Sequence, residues 1–260
     1  MIQIDSIRNF FPAHIQHMPV YQKYMLKEYI QLQILEFLST TKYIKKLAFI
    51  GGTYLRLVKG IDRFSEDLDF DCKCLSEAEF VEMNEMVLAF LKRNGYAVDF
   101  KDSDDTKLRA FRSSLYFPEL LFELGLTGHK EERFMIKIES QDQEVHYKSV
   151  ITHIKGCGFF FPFPVPPNEV ICAMKIAAMI SRRKGRDFYD VMFLLSQIKP
   201  DFNFLNAKCG IKNMYELKSA VGIMLQTTDL KIKMKDFEHL LFNKENSRRI
   251  LQFTEFIEGL

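Results

Sequence analysis

The chain has 260 residues, 47% of them hydrophobic, which is enough for one large domain or two small ones with proper cores. Its 36 Lys and Arg residues against 34 Asp and Glu residues leave a net charge of +2, so overall charge gives no strong case for a nucleic-acid partner and leaves only a local basic patch open. No apolar run approaches the ~18 residues of a membrane span, and the five cysteines lack CxxC spacing. We therefore expect a cytoplasmic protein with free thiols and no membrane partner.

The first half of the sequence predicts a mixed α/β arrangement, because segments with helical and with strand periodicity follow one another. Ser76 and Glu79 have the spacing of a capping box, which places the start of a helix at Ser76. The predicted elements are, in chain order, a helix over 20–39, a strand over 45–50, a helix over 53–59, a strand over 67–71, a helix over 76–95, a strand over 96–101, a turn at 102–105, and strands over 107–117 and 133–140.

The composition changes near residue 156, where "GCGFFFPFPVPP" (156–167) contains two glycines and four prolines. This segment is typical of a connector between subdomains, and it ends the strand-type pattern. Helical periodicity follows it at 168–183, 187–197, 213–226, 235–242 and 245–258. The sequence therefore predicts an α+β fold, with a mixed sheet and flanking helices over residues 1–155 and a helical bundle over residues 156–260.

The corner formed by Gly51, Gly52 and Thr53 follows the strand predicted at 45–50. Two glycines let the backbone turn sharply and approach a ligand closely, and Thr53 can cap the helix that follows. The amino end of that helix offers unpaired N–H groups to a phosphate. The alternative is a tight turn between strand and helix that binds nothing.

Asp67 and Asp69 lie two residues apart on a predicted strand, so their side chains project to one face while Leu68 and Phe70 face the core. Two neighbouring carboxylates repel each other unless a cation lies between them, and oxygen-rich sites of this kind suit Mg²⁺. Asp71 continues the alternation, and we expect it at the rim. The alternative is an edge strand with solvated acids.

Glu139, on the strand predicted at 133–140, supplies a further acid. If that strand pairs with the strand of Asp67 and Asp69, Glu139 could complete a cluster of three carboxylates. Spacing alone describes an ordinary surface residue equally well.

The combined pattern "GGTYLRL" (51–57) and "RFSEDLDFD" (63–71) resembles the AbiEii-type nucleotidyltransferases, a branch of the polymerase-beta-like superfamily that includes toxins of abortive-infection and toxin–antitoxin systems. The segment "NEVICAMKIAAMISRRKGRDFYDVMFLL" (168–195) resembles the downstream helical block of the same family. The resemblance implies a polymerase-beta-like sheet and transfer of a nucleotide from a nucleoside triphosphate (NTP), with Mg²⁺ or Mn²⁺, to a hydroxyl group.

The resemblance also implies roles for individual residues of the first block. Asp67 and Asp69 would hold one or two metal ions, and Glu139 would act beside the attacking hydroxyl as a ligand or base. The triphosphate would lie against the corner at residues 51–53. Arg63 and Ser65 would orient phosphate oxygens, although the Ser65 hydroxyl could equally stabilise a turn.

In the second block, Lys175 and Arg182 are seven residues apart and share a helix face, so both could reach the triphosphate. Arg183, Lys184 and Arg186 add to the positive field, and the alternative is a solvated helix end. Asp187 could orient a basic residue or the acceptor, or it could cap the helix that begins beside it.

The resemblance makes RNA, and transfer RNA in particular, the expected acceptor, and it implies a cognate antitoxin. The sequence leaves two other functions open. One is a catalytically inactive module that binds nucleotides or proteins, since a fold does not fix a function. The other is transfer of a nucleotide to a small hydroxylated compound, as in antibiotic-modifying relatives of the fold. The completeness of the predicted site favours an enzyme.

Overall fold

A computed structural model describes residues 3–101 and 111–260 of the chain. It divides into two compact units. The first unit comprises residues 1–60, 64–144 and 150–165, and the second comprises residues 61–63, 145–149 and 166–260. The predicted ranges were 1–155 and 156–260. In the structure residues 156–165 belong to the first unit, and the two short internal segments 61–63 and 145–149 belong to the second.

The first unit is built on a mixed sheet whose described strands have the order β1-β2-β5-β4-β3. Strand β2 is antiparallel to β1 and parallel to β5, and β4 is antiparallel to both β5 and β3. This order places β2, which carries the predicted acid pair, inside the sheet between β1 and β5. The strands are β1 (Leu47–Ile50), β2 (Asp67–Cys72), β3 (Asp99–Lys101), β4 (Phe111–Tyr116) and β5 (Met135–Gln141).

Helices flank this sheet, and the longest, α3, buries Met25, Leu32 and Leu35 completely. The capping box predicted at Ser76 and Glu79 is confirmed, because each residue's side chain accepts a hydrogen bond from the other's backbone N–H. The helices are α1 (Ile4–Arg8), α2 (Ala13–Gln16), α3 (Pro19–Ser39), α4 (Gly51–Leu57), α5 (Glu77–Arg93) and α6 (Leu120–Glu123), with a 3₁₀ helix at Lys42–Lys46.

The connector predicted at 156–167 is wrong, because this segment forms most of a β-hairpin of the first unit. Strand β6 (Val150–Gly156) pairs antiparallel with β7 (Phe159–Val165), and Phe161 and Phe163 are buried while Pro162 is exposed. Proline lacks the N–H that an inner strand needs, but each strand of a two-stranded hairpin has a free edge that tolerates it. The prolines were therefore misinterpreted as the end of the strand pattern.

The second unit is helical after residue 166, as predicted. The helix predicted at 235–242 is wrong, since α11 ends at Lys235 and a short 3₁₀ turn follows, and the segment 202–209 forms a helix that the sequence pattern did not indicate. The helices are α7 (Asn168–Arg182), α8 (Gly185–Leu195), α9 (Phe202–Cys209), α10 (Met214–Leu225), α11 (Leu230–Lys235) and α12 (Phe253–Glu258), with 3₁₀ helices at Glu238–Leu240 and Lys244–Gln252.

The turn predicted at 102–105, and the beginning of the strand predicted at 107–117, lie outside the described residues. The five cysteines are free thiols, as expected. Within residues 3–101 and 111–260, no helix combines the length and the apolar character that crossing a bilayer requires.

Candidate functional site

The glycine corner joins strand β1 to helix α4 beside the acids of β2. Gly51 has a φ of +82°, which an L side chain rarely adopts, and a Cβ added there would overlap the Asp69 carboxylate and lie 2.7 Å from the Asp69 Cβ. The corner therefore needs glycine at this position for two reasons: its backbone conformation and the close approach of Asp69.

Thr53 holds the first turn of α4 against strand β2, since its hydroxyl donates to the carbonyl oxygen of Asp67 at 2.5 Å. The prediction that Thr53 caps α4 is wrong, because the helix already begins at Gly51 and its N-cap residue, Ile50, makes no side-chain cap. Gly52 lies in this same turn. The residues at 51–53 are therefore tied to the acid strand by one close contact and one hydrogen bond.

The predicted alternation along β2 is confirmed. Leu68 and Phe70 are buried, at 0% and 1% exposure, while Asp67 and Asp69 remain partly exposed on the other face. Asp71 was expected at the rim, and that prediction is wrong, because its side chain is buried and its Oδ1 accepts the backbone N–H of Gln143 at 2.9 Å.

Glu139 lies directly beside Asp69, because the parallel pairing of β2 with β5 aligns these two residues. Its Oε1 lies 3.2 Å from Nε of Arg112, a partly exposed ion pair across β4 and β5. Within the part of the chain that the structure describes, no three or more His, Cys, Asp or Glu side chains are arranged to hold a metal ion. Mg²⁺ usually takes one or two protein carboxylates and completes its shell with water and substrate phosphates. The acids of β2 fit that pattern.

Ser65, between Arg63 and the acid pair, is buried, and its carbonyl oxygen accepts from the Gln31 side chain at 3.4 Å. The role predicted for Ser65 stays a prediction.

Lys175, Arg63 and Asp190 form a buried cluster in the second unit. Asp190 accepts two hydrogen bonds from the Arg63 guanidinium, at 2.8 and 2.7 Å, and a third from Nζ of Lys175 at 2.9 Å. Burial alone raises the pKa of Asp190, but the charges and hydrogen bonds of Arg63 and Lys175 outweigh burial and lower it to about 2. The carboxylate is therefore ionised, and the three side chains together carry a charge of +1.

Arg182 and Asp187 form a second pair at the junction of α7 and α8. The Arg182 guanidinium donates two hydrogen bonds to Asp187, with Nε to Oδ2 at 2.9 Å and Nη2 to Oδ1 at 2.6 Å. Asp187 also accepts the backbone N–H of Lys184, at the start of α8. Asp187 therefore contacts a basic residue and caps the start of α8, and a role towards the acceptor stays a prediction.

Sequence reasoning missed the partners of the segment Ile61–Arg63, which belongs to the second unit. The Asp62 carboxylate accepts from the Tyr189 hydroxyl at 2.7 Å and from the Asn246 amide at 2.6 Å. The one available signal was the RDxxD spacing, which puts Asp190 one helical turn after Asp187, but it does not identify Arg63 as the partner of Asp190.

Comparison with known proteins decides the family. Residues 33–257 match the family described as nucleotidyl transferase AbiEii toxin, type IV toxin–antitoxin system. The chain belongs to the AbiEii family. An AbiEii nucleotidyltransferase is an enzyme of a toxin family that uses an NTP, and the resemblance drawn from the sequence is confirmed. No curated protein sequence matches the chain.

Solved structures share the fold of this AbiEii chain. MenT4, a nucleotidyltransferase toxin from Mycobacterium tuberculosis, is 18% identical with a TM-score of 0.62, and the match covers 100% of this chain and 91% of that one. A putative nucleotidyltransferase from Helicobacter pylori is 19% identical with a TM-score of 0.55, covering 90% and 94%. JHP933, also from Helicobacter pylori, is 20% identical with a TM-score of 0.54, covering 91% and 90%. At these identities the likeness shows the fold alone.

Proposed function

We propose that the protein transfers a nucleotide from an NTP to a hydroxyl group of RNA, with Mg²⁺ or Mn²⁺, as the toxin of a type IV toxin–antitoxin or abortive-infection system. The observation that carries the proposal is the approach of Asp69 to Gly51. Asp67 and Asp69 share one strand face, and Gly51 approaches the Asp69 side chain so closely that no side chain fits between them. A turn that served only to connect a strand with a helix would not need this proximity.

Asp67 and Asp69 are the residues that would hold the divalent cation, and Glu139 lies beside Asp69 on the neighbouring strand. When bound, the cation lowers the charge of the triphosphate and stabilises the attacking and leaving oxygens. Glu139 forms an ion pair with Arg112, in which Oε1 of Glu139 lies 3.2 Å from Nε of Arg112. That pair holds the Glu139 carboxylate beside the acid strand, where it can accept the proton of the acceptor hydroxyl.

The backbone at residues 51–53 is proposed to contact the phosphates. For Lys175 and Arg182 we keep the role that the family resemblance implies, neutralisation of phosphate charge. Lys175 is itself 7% exposed and its Nζ donates to Asp190 at 2.9 Å, so the proposal rests on the charge of +1 that its cluster with Arg63 and Asp190 carries and not on an unbound ammonium group. Arg63 is only 1% exposed and is already doubly bonded to Asp190, so we assign it to positioning. The exposed side of Arg182 leaves its guanidinium accessible while Asp187 orients it.

In the proposed reaction, the oxygen of the acceptor hydroxyl bonds to the α-phosphorus of the NTP. The bond between that phosphorus and the bridging oxygen breaks, and pyrophosphate leaves with its electron pair. The hydroxyl proton passes to Glu139 or to water. The product is a nucleoside monophosphate joined to the acceptor through a phosphodiester bond.

The test is incubation of the full chain with total RNA, Mg²⁺ and each NTP labelled at the α-phosphate, followed by denaturing gel electrophoresis. We expect label in RNA with at least one NTP, and none when the label is at the γ-phosphate. Asp67→Asn and Asp69→Asn should each abolish transfer and weaken the metal-dependent rise in melting temperature that an NTP produces. Label in protein or in a small molecule alone would refute an RNA acceptor. Growth arrest that depends on both acids would support the toxin role in cells.

A further inference from the structure

Two basic segments of the second unit lie against each other at the start of α8. One is the turn at residues 182–186, between α7 and α8, and the other is helix α11. The Lys and Arg side chains of these two segments are called the basic patch, with the exception of Arg182, which is bound to Asp187. It consists of Arg183, Lys184, Arg186, Lys231, Lys233 and Lys235.

Gly185 joins the two segments by direct backbone contact. Its N–H donates to both carboxylate oxygens of Asp236, at 3.1 and 3.0 Å, immediately after α11. A Cβ at this position would overlap the carbonyl oxygen of Lys233 and the Asp236 carboxylate. Because only glycine permits this approach, the cations of the turn and those of α11 are held on adjoining surface.

Three acids close to the patch, Asp187, Asp229 and Asp236, are engaged with backbone or with Arg182. Asp187 binds Arg182 and caps α8, Asp236 binds the Gly185 N–H, and Asp229 accepts the N–H groups of Lys231 and Ile232 to cap α11. Each acid is therefore placed to fix backbone rather than to pair with a patch lysine. Among the described residues, no ion pair involves a patch cation.

Arg183 occupies a position where glycine is usual. It ends α7 in the left-handed conformation, with φ +52° and ψ +40°, and its guanidinium donates to the Thr227 hydroxyl at 2.8 Å, just before α11. A non-glycine residue in this conformation costs about 1–2 kcal/mol. The Arg183 side chain spans from the turn towards α11 and extends the positive surface between them.

The charge of the chain is also unevenly divided. Counted from the sequence, the second unit has 17 Lys and Arg residues against 12 Asp and Glu residues, a net charge of +5, whereas the whole chain has +2. The first unit is therefore net acidic. An asymmetry of this kind is typical of proteins that bind a polyanion through one part of the chain.

We propose that the basic patch binds the phosphodiester backbone of the RNA acceptor. The inference deepens the proposed function and rests on it for the identity of the acceptor. Six cations on two adjoining segments exceed what a single triphosphate can pair with, and Lys231 and Lys235, four residues apart, share a face of α11 as successive backbone contacts would require. Backbone contacts of this kind fix the register of an RNA but carry no sequence information.

The test measures binding of end-labelled bulk tRNA to the full chain by fluorescence anisotropy, in an Asp67→Asn background that prevents turnover. The patch variant is Lys231→Gln/Lys233→Gln/Lys235→Gln. The matched control, Lys199→Gln/Lys208→Gln/Lys212→Gln, removes the same charge from exposed positions elsewhere in the unit. Melting temperatures of both variants check that they fold.

We expect the patch variant to bind tRNA roughly tenfold to a hundredfold more weakly at 0.15 M salt, with the slope of log K against log salt concentration reduced by about 2 to 3. The control should change affinity by less than about twofold. Equal losses in both variants would show a net-charge effect alone and overturn the inference. The inference would also be overturned if the patch variant lost binding to anionic vesicles or to poly-glutamate but kept the wild-type affinity for tRNA.

The outcome is separable from that of the proposed function. If no RNA is labelled by the wild-type chain but the patch variant alone loses tRNA binding, the inference holds and the proposed reaction fails. If RNA is labelled and the patch variant has the RNA KM of the control, the reaction holds and the inference fails.

Discussion

Replacement of Gly51 by alanine tests whether position 51 needs glycine because Asp69 approaches it so closely. The structure supplies a matched control, since Gly60 has a similar φ of +73° but no atom within 4 Å of an added Cβ. Both substitutions force an L residue into the left-handed region, at a cost of about 1–2 kcal/mol each. Only the Cβ at position 51 also overlaps the Asp69 side chain.

Overpacking of this kind costs a further ~1–3 kcal/mol unless the neighbour moves, and here the neighbour is a proposed metal ligand. We therefore expect Gly60→Ala to lower the free energy of unfolding by about 1–2 kcal/mol and to leave nucleotide transfer within about threefold of wild type. Gly51→Ala should cost about 2–5 kcal/mol in total, or should displace Asp69 and reduce transfer at least a hundredfold, the scale of losing one electrostatic contact in a transition state.

The assays are urea unfolding followed by circular dichroism and fluorescence, and transfer of an α-labelled nucleotide at saturating Mg²⁺. Coincident transitions from the two probes are required before a single free energy is quoted. The overlap with the Asp69 carboxylate predicts that Gly51→Ala and Asp69→Ala are coupled by at least ~1 kcal/mol in a double-mutant cycle. Equal stability and equal activity of Gly51→Ala and Gly60→Ala would refute the reasoning.

Further predictions concern the charges of the second unit. Asp190→Asn leaves the buried side chains of Arg63 and Lys175 without their counter-charge, so it should lower the free energy of unfolding by about 3–5 kcal/mol. Asp187→Asn should cost less than half as much in the same urea assay, because the side chain of its partner Arg182 is 43% exposed. The pKa of Asp190 in the folded protein, about 2, lies below its ordinary value of 3.8, so its ionised form adds about 2–3 kcal/mol to the free energy of unfolding above about pH 4. This stabilisation is lost as pH falls towards 2, and the free energy of unfolding of Asp190→Asn should lack this dependence on pH. Lys175→Ala should reduce transfer by roughly a hundredfold or more, and Lys175→Arg should rescue poorly because a planar guanidinium does not replace a point charge; near wild-type turnover of Lys175→Ala would exclude the proposed role.

The acid strand and the helix after it could be predicted from sequence because the signals are local. The alternation from Asp67 to Phe70 and the three-residue spacing from Ser76 to Glu79 each fit within one element, and the structure confirms both. The pairing of Asp69 with Glu139 required the topology as well, since β5 follows β2 by more than sixty residues. The prediction that Glu139 lies beside Asp69 therefore depended on the assumption that β2 and β5 pair with each other.

The errors have physical causes that local patterns do not contain. The prolines of β7 are tolerated because the hairpin has free edges, which is a property of the sheet and not of the segment. Thr53 has the character of a cap, but its hydroxyl finds the Asp67 carbonyl of another element. Asp71 continues the exposed side of the alternation in sequence, but in the structure it is buried and accepts the backbone N–H of Gln143, which is distant in sequence.

The burial and the hydrogen bonds of Arg63 bear directly on the role of the arginine in this motif. Arg63 belongs to the second unit, where Asp190 accepts two of its hydrogen bonds, and four residues later the chain is strand β2 of the first unit. The arginine of the motif is therefore better explained as an anchor of the chain than as a ligand of the phosphate, because a guanidinium that is 1% exposed and doubly bonded to a carboxylate has already satisfied its charge.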